Sequence, residues 1–65
     1  MQPTIIDLAE VKRLTTLSRS SIYARAKMGL FPQPHRIKGT SRTVWKTEEV
    51  LRWIDENVVA EGRHP

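Results

Sequence analysis

The chain contains no cysteine. That excludes disulfide staples and thiolate metal sites, and it suits a reducing cytoplasm. No apolar run approaches the roughly 20 residues of a bilayer span, and Met1-Gln2-Pro3-Thr4 lacks the charged-then-apolar build of a signal peptide, so no membrane contact is expected. Histidine is nearly absent: His35 and His64 stand far apart, with no carboxylate at ligand spacing, so neither a metal nor a cofactor is expected. Asp7, His35 and Ser18 supply the letters of a triad, but nothing positions them. With 65 residues there is also little room for a substrate pocket, so no catalytic residue is assigned and the chain is not read as an enzyme. That length makes one domain, 1–65, near the lower limit for a chain folding without help.

The most informative absence is local. Of the 11 Lys and Arg, nine fall between Val11 and Thr47, a window with no Asp or Glu; all seven acids lie at Asp7, Glu10 and from Glu48 onward. A merely solvated surface would interleave the signs. With a net charge of +4 and a pI near 10.1, an unbalanced basic block is the electrostatic footprint of a nucleic-acid surface.

Within that block, Thr15-Thr16-Leu17-Ser18-Arg19-Ser20-Ser21-Ile22-Tyr23 reads as a turn running into a helix. Ser18 has the hydroxyl that an N-cap needs, and Leu17 with Ile22 fits a hydrophobic staple. The first turn then presents Arg19, Ser20 and Ser21 at a helix end whose own amides face outward, where phosphates are held and base edges reached. This spacing predicts the recognition helix of a helix-turn-helix over about 19–28. Ile22 and Ala26 point inward, Ser20, Tyr23, Ala24 and Lys27 lie on the opposite arc, and Arg25 is nearer the inward face.

In chain order, Thr4-Ile5-Ile6 is expected to form a short strand. Asp7 then caps a helix over about 8–14, Glu10 completes a capping box, and Ile6 staples to Val11. Leu8, Val11 and Leu14 share the buried face, with Lys12 and Arg13 off it. Gly29 supplies a left-handed stop after the second helix, Leu30 packs back on the last turn, and Phe31 is a core plug ahead of Pro32 and Pro34. His35–Lys38 and Thr43–Trp45 flank Gly39-Thr40-Ser41-Arg42 as a hairpin over about 35–45. Its solvent side carries Arg36, Lys38, Thr40, Ser41 and Arg42, a basic wing. Thr47 is expected to cap a third helix over about 48–60, with Glu48 and Glu49 in its first turn. Val50, Leu51, Ile54 and Val58 would form its buried stripe and Gly62 its stop, with a fraying tail at Arg63-His64-Pro65. Trp45 and Trp53 read as core and core edge. The fold class is α+β and mainly helical, a winged helix-turn-helix in the order β-α-α-β-β-α.

Leu17–Tyr23, then Gly29 and Phe31-Pro32, then Val44-Trp45, Glu49-Val50 and Trp53-Ile54 together resemble the AlpA-like regulators of phages and prophages. These are small winged helix-turn-helix proteins similar to excisionases and to the DNA-binding half of MerR-type activators. The resemblance spans Ile5 to Ile54. It implies a cytoplasmic, nucleoid-associated protein that binds DNA to control transcription, often of an integrase gene, or that directs excision as a recombination directionality factor. One departure concerns the turn, where the family commonly carries Gly and this chain has Thr16. A β-branched residue at positive φ is costly, so either the turn geometry differs or Thr16 is strained.

The expected partner is double-stranded DNA, with helix 2 entering the major groove N-terminus first. Arg19 is the candidate for a bidentate guanine contact, the alternative being a phosphate clamp without sequence information. Ser20 and Ser21 are candidate donors to a base or a phosphate, the alternative being that one of them shares capping duty with Ser18, which is itself counted with the DNA-binding residues. Tyr23 either packs on a sugar or phosphate or forms a half-buried rim of the core. Lys27 and Arg25 are backbone candidates by charge, and Arg36, Lys38 and Arg42 reach phosphates or the minor groove. Trp53 with Val59 is a candidate contact to a second copy or another protein. Self-association, cooperative binding on tandem sites, and contact with an integrase or polymerase are further expectations. The competing class is a protein-interaction adaptor or anti-repressor whose basic block meets an acidic partner.

Overall fold

The computed structural model describes residues 3–61. Strand β1 (Ile5–Asp7) leads into α1 (Leu8–Thr15) and α2 (Arg19–Lys27), followed by β2 (His35–Arg36), β3 (Thr43–Lys46) and α3 (Thr47–Asn57). The order is β-α-α-β-β-α, as the sequence pattern implies. The three strands form one antiparallel sheet in the order β1-β3-β2. Ile5, Ile6 and Asp7 stand opposite Lys46, Trp45 and Val44, and His35 and Arg36 oppose Val44 and Thr43. The hairpin of β2 and β3 is thus widened by the N-terminal strand, which starts one residue later than the β-branched run suggested.

The sheet and helices close on a small core of Ile6, Val11, Ile22, Ala26, Phe31, Trp45 and Val50. Trp45 is fully enclosed, and its indole Nε1 donates to the Pro32 carbonyl at 3.0 Å. Burying such a ring is favourable only when its N–H finds a partner. Phe31 packs edge-on against Trp53 at 4.8 Å between centroids, and the Trp53 Nε1 donates to the Leu30 carbonyl at 2.7 Å. The two tryptophans therefore pin the segment between α2 and β2 from both sides.

Local signals account for most helix ends. The Asp7 carboxylate accepts from the Glu10 amide at 3.0 Å, starting α1. The reciprocal half of the expected capping box is missing: the Glu10 carboxylate turns forward onto Arg13 instead, with Arg13 Nε at 2.9 Å. That pairing holds the Glu10 carboxyl below its usual range and raises Arg13, chiefly through their hydrogen bond. At the far end of α2 the Leu30 amide donates to the Arg25 carbonyl and the Gly29 amide to Ala26, with Gly29 at φ 77°. This Schellman arrangement satisfies the last carbonyls. Leu30, which follows this turn, is 53% exposed.

Helix α3 departs most from expectation. Thr47 is its first helical residue rather than its cap; Lys46 occupies the cap position with no side-chain hydrogen bond. The Thr47 amide donates to the Thr4 carbonyl at 2.9 Å, while its hydroxyl is buried without a partner among the described residues. The Thr47–Thr4 bond ties this turn to the chain ahead of β1, and the buried hydroxyl does not cap the first amides of α3. The helix ends at Asn57, three residues earlier than expected. Val58 is 62% exposed and outside the buried stripe, since the chain has already become extended there. Gly62 and the tail from Arg63 lie outside the described residues.

Candidate nucleic-acid interface

Helices α1 and α2 meet through Thr16, Leu17 and Ser18. Thr16 adopts the left-handed conformation, φ 61° and ψ 10°. Of the two alternatives for this turn, the structure selects the strained one. A β-branched residue is uncommon there, and the turn supplies compensation. The Thr16 amide donates to the Lys12 carbonyl at 2.7 Å and its hydroxyl to the Thr15 carbonyl at 2.5 Å. The Thr15 hydroxyl donates back to Val11 at 2.8 Å and accepts from the Leu17 amide at 3.2 Å. Leu17 then packs, half-buried, against the core that contains Ile22. A tight, hydrogen-bonded corner of this kind fixes the angle at which α2 leaves the domain.

Ser18 caps α2: its extended backbone (φ −75°, ψ 163°) lets Oγ accept from the Ser21 amide at 3.1 Å. That bond uses one acceptor lone pair of the hydroxyl, leaving its proton and the second lone pair for a ligand. Arg19 and Ser20 are exposed and Ser21 is half-buried. Ile22 and Ala26 are the buried residues of the helix, and Ser20, Ala24 and Lys27 occupy the opposite arc in solvent. Arg25 is exposed too, so its cation is available.

Tyr23 sits between the two roles foreseen for it. Its ring is half-buried, 5.9 Å from Trp45 in an edge contact, while the Arg19 guanidinium lies 5.4 Å over it. Core aromatic, rim aromatic and first-turn arginine therefore lie in contact one after the other, edge-on at the first step and cation over ring at the second. The i, i+4 separation of Arg19 and Tyr23 places the pair on one helix face, as it does any such pair, and is the signal in the sequence for this contact.

In the hairpin, Arg36, Lys38, Ser41 and Arg42 are exposed. Thr40 is exposed as well, but the turn employs its hydroxyl. It donates to the Ile37 carbonyl at 2.8 Å and accepts from the Arg42 amide at 3.1 Å. Gly39, at φ 84°, makes the bend possible. Gln33 was not foreseen at all. Its Nε2 donates to the Ala26 carbonyl at 2.6 Å, tying the base of the wing to the end of α2.

The described residues thus present a helix-turn-helix whose second helix has an exposed face and an exposed Arg19 and Ser20 in its capped first turn, beside a hairpin carrying cations. That arrangement is a winged helix-turn-helix. The chain belongs to the family described as prophage CP4-57 regulatory protein (AlpA), whose model matches residues 4–58. It is by that membership a phage-type regulatory protein. Neither a curated protein nor a solved structure shows significant similarity to the chain. No described helix is long and apolar enough to cross a membrane.

Proposed function

We propose that the chain is a sequence-specific double-stranded DNA-binding regulator that sets α2 in the major groove, N-terminus first, with the wing on the flanking backbone or minor groove. The observation that carries this reading is the exposed arc of α2, a helix without acidic residues, together with the exposed cations of the hairpin. A helix-turn-helix reads bases with the residues at the start of its second helix. Here these are Arg19, Ser20 and, toward the backbone, Tyr23 and Lys27.

Arg19 is the base-reading candidate. Held over Tyr23, its guanidinium loses less freedom when it meets the O6 and N7 of a guanine, a pairing worth roughly 1–3 kcal/mol of discrimination. Ser20 donates to a base edge or phosphate. Ser18 and Ser21 act through the cap, keeping the first amides of α2 in place for a phosphate. Arg36, Lys38, Ser41 and Arg42 contact the backbone, and Thr40 shapes the turn that presents them.

The test is selection from a random duplex pool, followed by titration of the selected site against salt. Neutralising about five phosphates gives a log–log slope near −4 to −5. Arg19→Ala should erase the preference for the selected sequence. Lys38→Ala should weaken all duplexes alike and flatten the slope by about one. Absence of duplex binding at low salt refutes the reading and returns the basic block to an acidic protein partner. Transcriptional regulator and excision factor share these contacts; bending of the bound duplex by tens of degrees would favour the second.

A further inference from the structure

The chain leaves α2 at Lys27 and enters β2 at His35, so residues 28–34 are the strap between helix and wing. Three side chains hold this strap by hydrogen bonds to carbonyls. Trp53 Nε1 donates to Leu30 at 2.7 Å, and Trp45 Nε1 donates to Pro32 at 3.0 Å. These two bonds tie the strap to α3 and to the sheet. The third runs the other way, from Gln33 Nε2 on the strap to the Ala26 carbonyl of α2 at 2.6 Å. Among the described residues, no other hydrogen bond joins residues 31–34 to α2.

Closing the helix does not require this bond. The Ala26 carbonyl already accepts from the Gly29 amide at 3.0 Å, and Gln33 takes its second lone pair. Gln33 is exposed, so water could serve that lone pair as well. What the bond does fix is the last stretch of chain before the wing. Pro32 and Pro34 flank Gln33; each locks its own φ and restricts the residue ahead of it. This stiff run carries the position of Gln33 into His35 and Arg36. The wing itself has little else to orient it at that end. β2 is an edge strand of two residues, paired only with β3.

We propose that Gln33 is a positioning residue for duplex binding. Through the Ala26 carbonyl it sets the wing relative to α2, so that Arg36, Lys38 and Arg42 meet phosphates while the helix occupies the groove. The proposal rests on the duplex-binding reading. A binder with two contacting parts gains from the second only as far as the link presents it at the right place, and a preorganised link loses less freedom on binding.

The experiment measures affinity and its salt slope on the selected duplex, by fluorescence anisotropy, for the wild type, Gln33→Met and Gln33→Asn. Each is combined with Lys38→Ala on the wing or Arg19→Ala on the helix. Methionine matches glutamine in length but has no donor; asparagine keeps the donor and is one methylene too short. Neither changes the charge. Circular dichroism verifies folding, and if one variant fails to fold the other carries the test. Either should weaken binding about five-fold, the worth of one neutral hydrogen bond. Either should also flatten the slope by about one, as a wing cation loses its phosphate, and leave the preferred sequence unaltered. Lys38→Ala should have less than about half its wild-type effect in the Gln33 variants, whereas Arg19→Ala should cost the same in every background. Additive effects of Gln33 and Lys38, an unchanged slope, or equal coupling to Arg19 would make Gln33 a helix-closing residue and overturn the proposal, with duplex binding intact. Loss of the fold in both variants would overturn it too. Failure of the wild type to bind any duplex would instead overturn both readings.

Discussion

Helices α2 and α3 are close in length, nine and 11 residues, and each has a hydroxyl residue near its start, yet they are held by opposite means. α2 is held by its ends. Ser18 caps one and the Gly29 turn closes the other, so the flank needs to bury only Ile22 and Ala26. α3 is held by its flank. Val50 is fully buried, Leu51, Trp53 and Ile54 are half-buried, and its N-terminus has no side-chain cap. A helix that must offer a long free arc to a ligand cannot spend that arc on packing, and end capping stabilises it without covering it. A helix that closes the core has no such constraint. The charges divide the same way: α2 carries no acid, whereas α3 carries four.

The largest expected break of this contrast is Ile22→Ala. As the single large anchor of α2 it should cost about 2–5 kcal/mol, enough to unfold much of so small a domain, as equilibrium urea unfolding would show. A loss below about 1 kcal/mol would mean that the ends alone hold the helix. Next come two hydroxyl residues with opposite signs. Ser18→Ala removes a working cap and should destabilise by about 1 kcal/mol, with hydrogen exchange rising at the first amides of α2. Thr47→Val removes a buried hydroxyl without a partner and should stabilise by up to about 1 kcal/mol. A destabilised Thr47→Val would show that α3 does depend on its N-terminal hydroxyl, erasing the distinction. The smallest effect is expected at the corner between α1 and α2. Thr16→Gly relieves a left-handed threonine but frees the unfolded chain and forfeits the hydroxyl bond, for a net gain of about 0.5 kcal/mol. A loss of stability there would mean that the Thr16 hydroxyl contributes more than its backbone strain costs.

Much of this arrangement is legible in the residues. Asp7, Ser18 and Gly29 act locally, so their capping roles follow from side-chain chemistry and the next three or four residues. The inward pair Ile22 and Ala26 follows from helical spacing, and Phe31 and Trp45 from size and apolarity. The basic block with its free acids elsewhere is a property of composition, and it frames the candidate interface before any coordinate is known. Thr47 shows where this reasoning fails. Its place before two glutamates is that of a cap, but its amide is bonded to the Thr4 carbonyl and its buried hydroxyl does not cap α3. Val58 continues the apolar period of α3, yet the helix has ended. Tyr23 lies on the outward arc by angle, and only the position of Trp45 makes it a rim residue that also carries Arg19.

The order of elements, most helix ends, the sign of the surface and the outward arc of α2 were set by local chemistry, because caps, turns and periodicity act over a few neighbouring residues. The sheet order, the inward turn of Thr47, and the edge contact of Tyr23 with Trp45 that sets the ring beneath Arg19 were decided by tertiary packing. Each joins residues distant in the chain or depends on which surface the core leaves open, and no local preference encodes that.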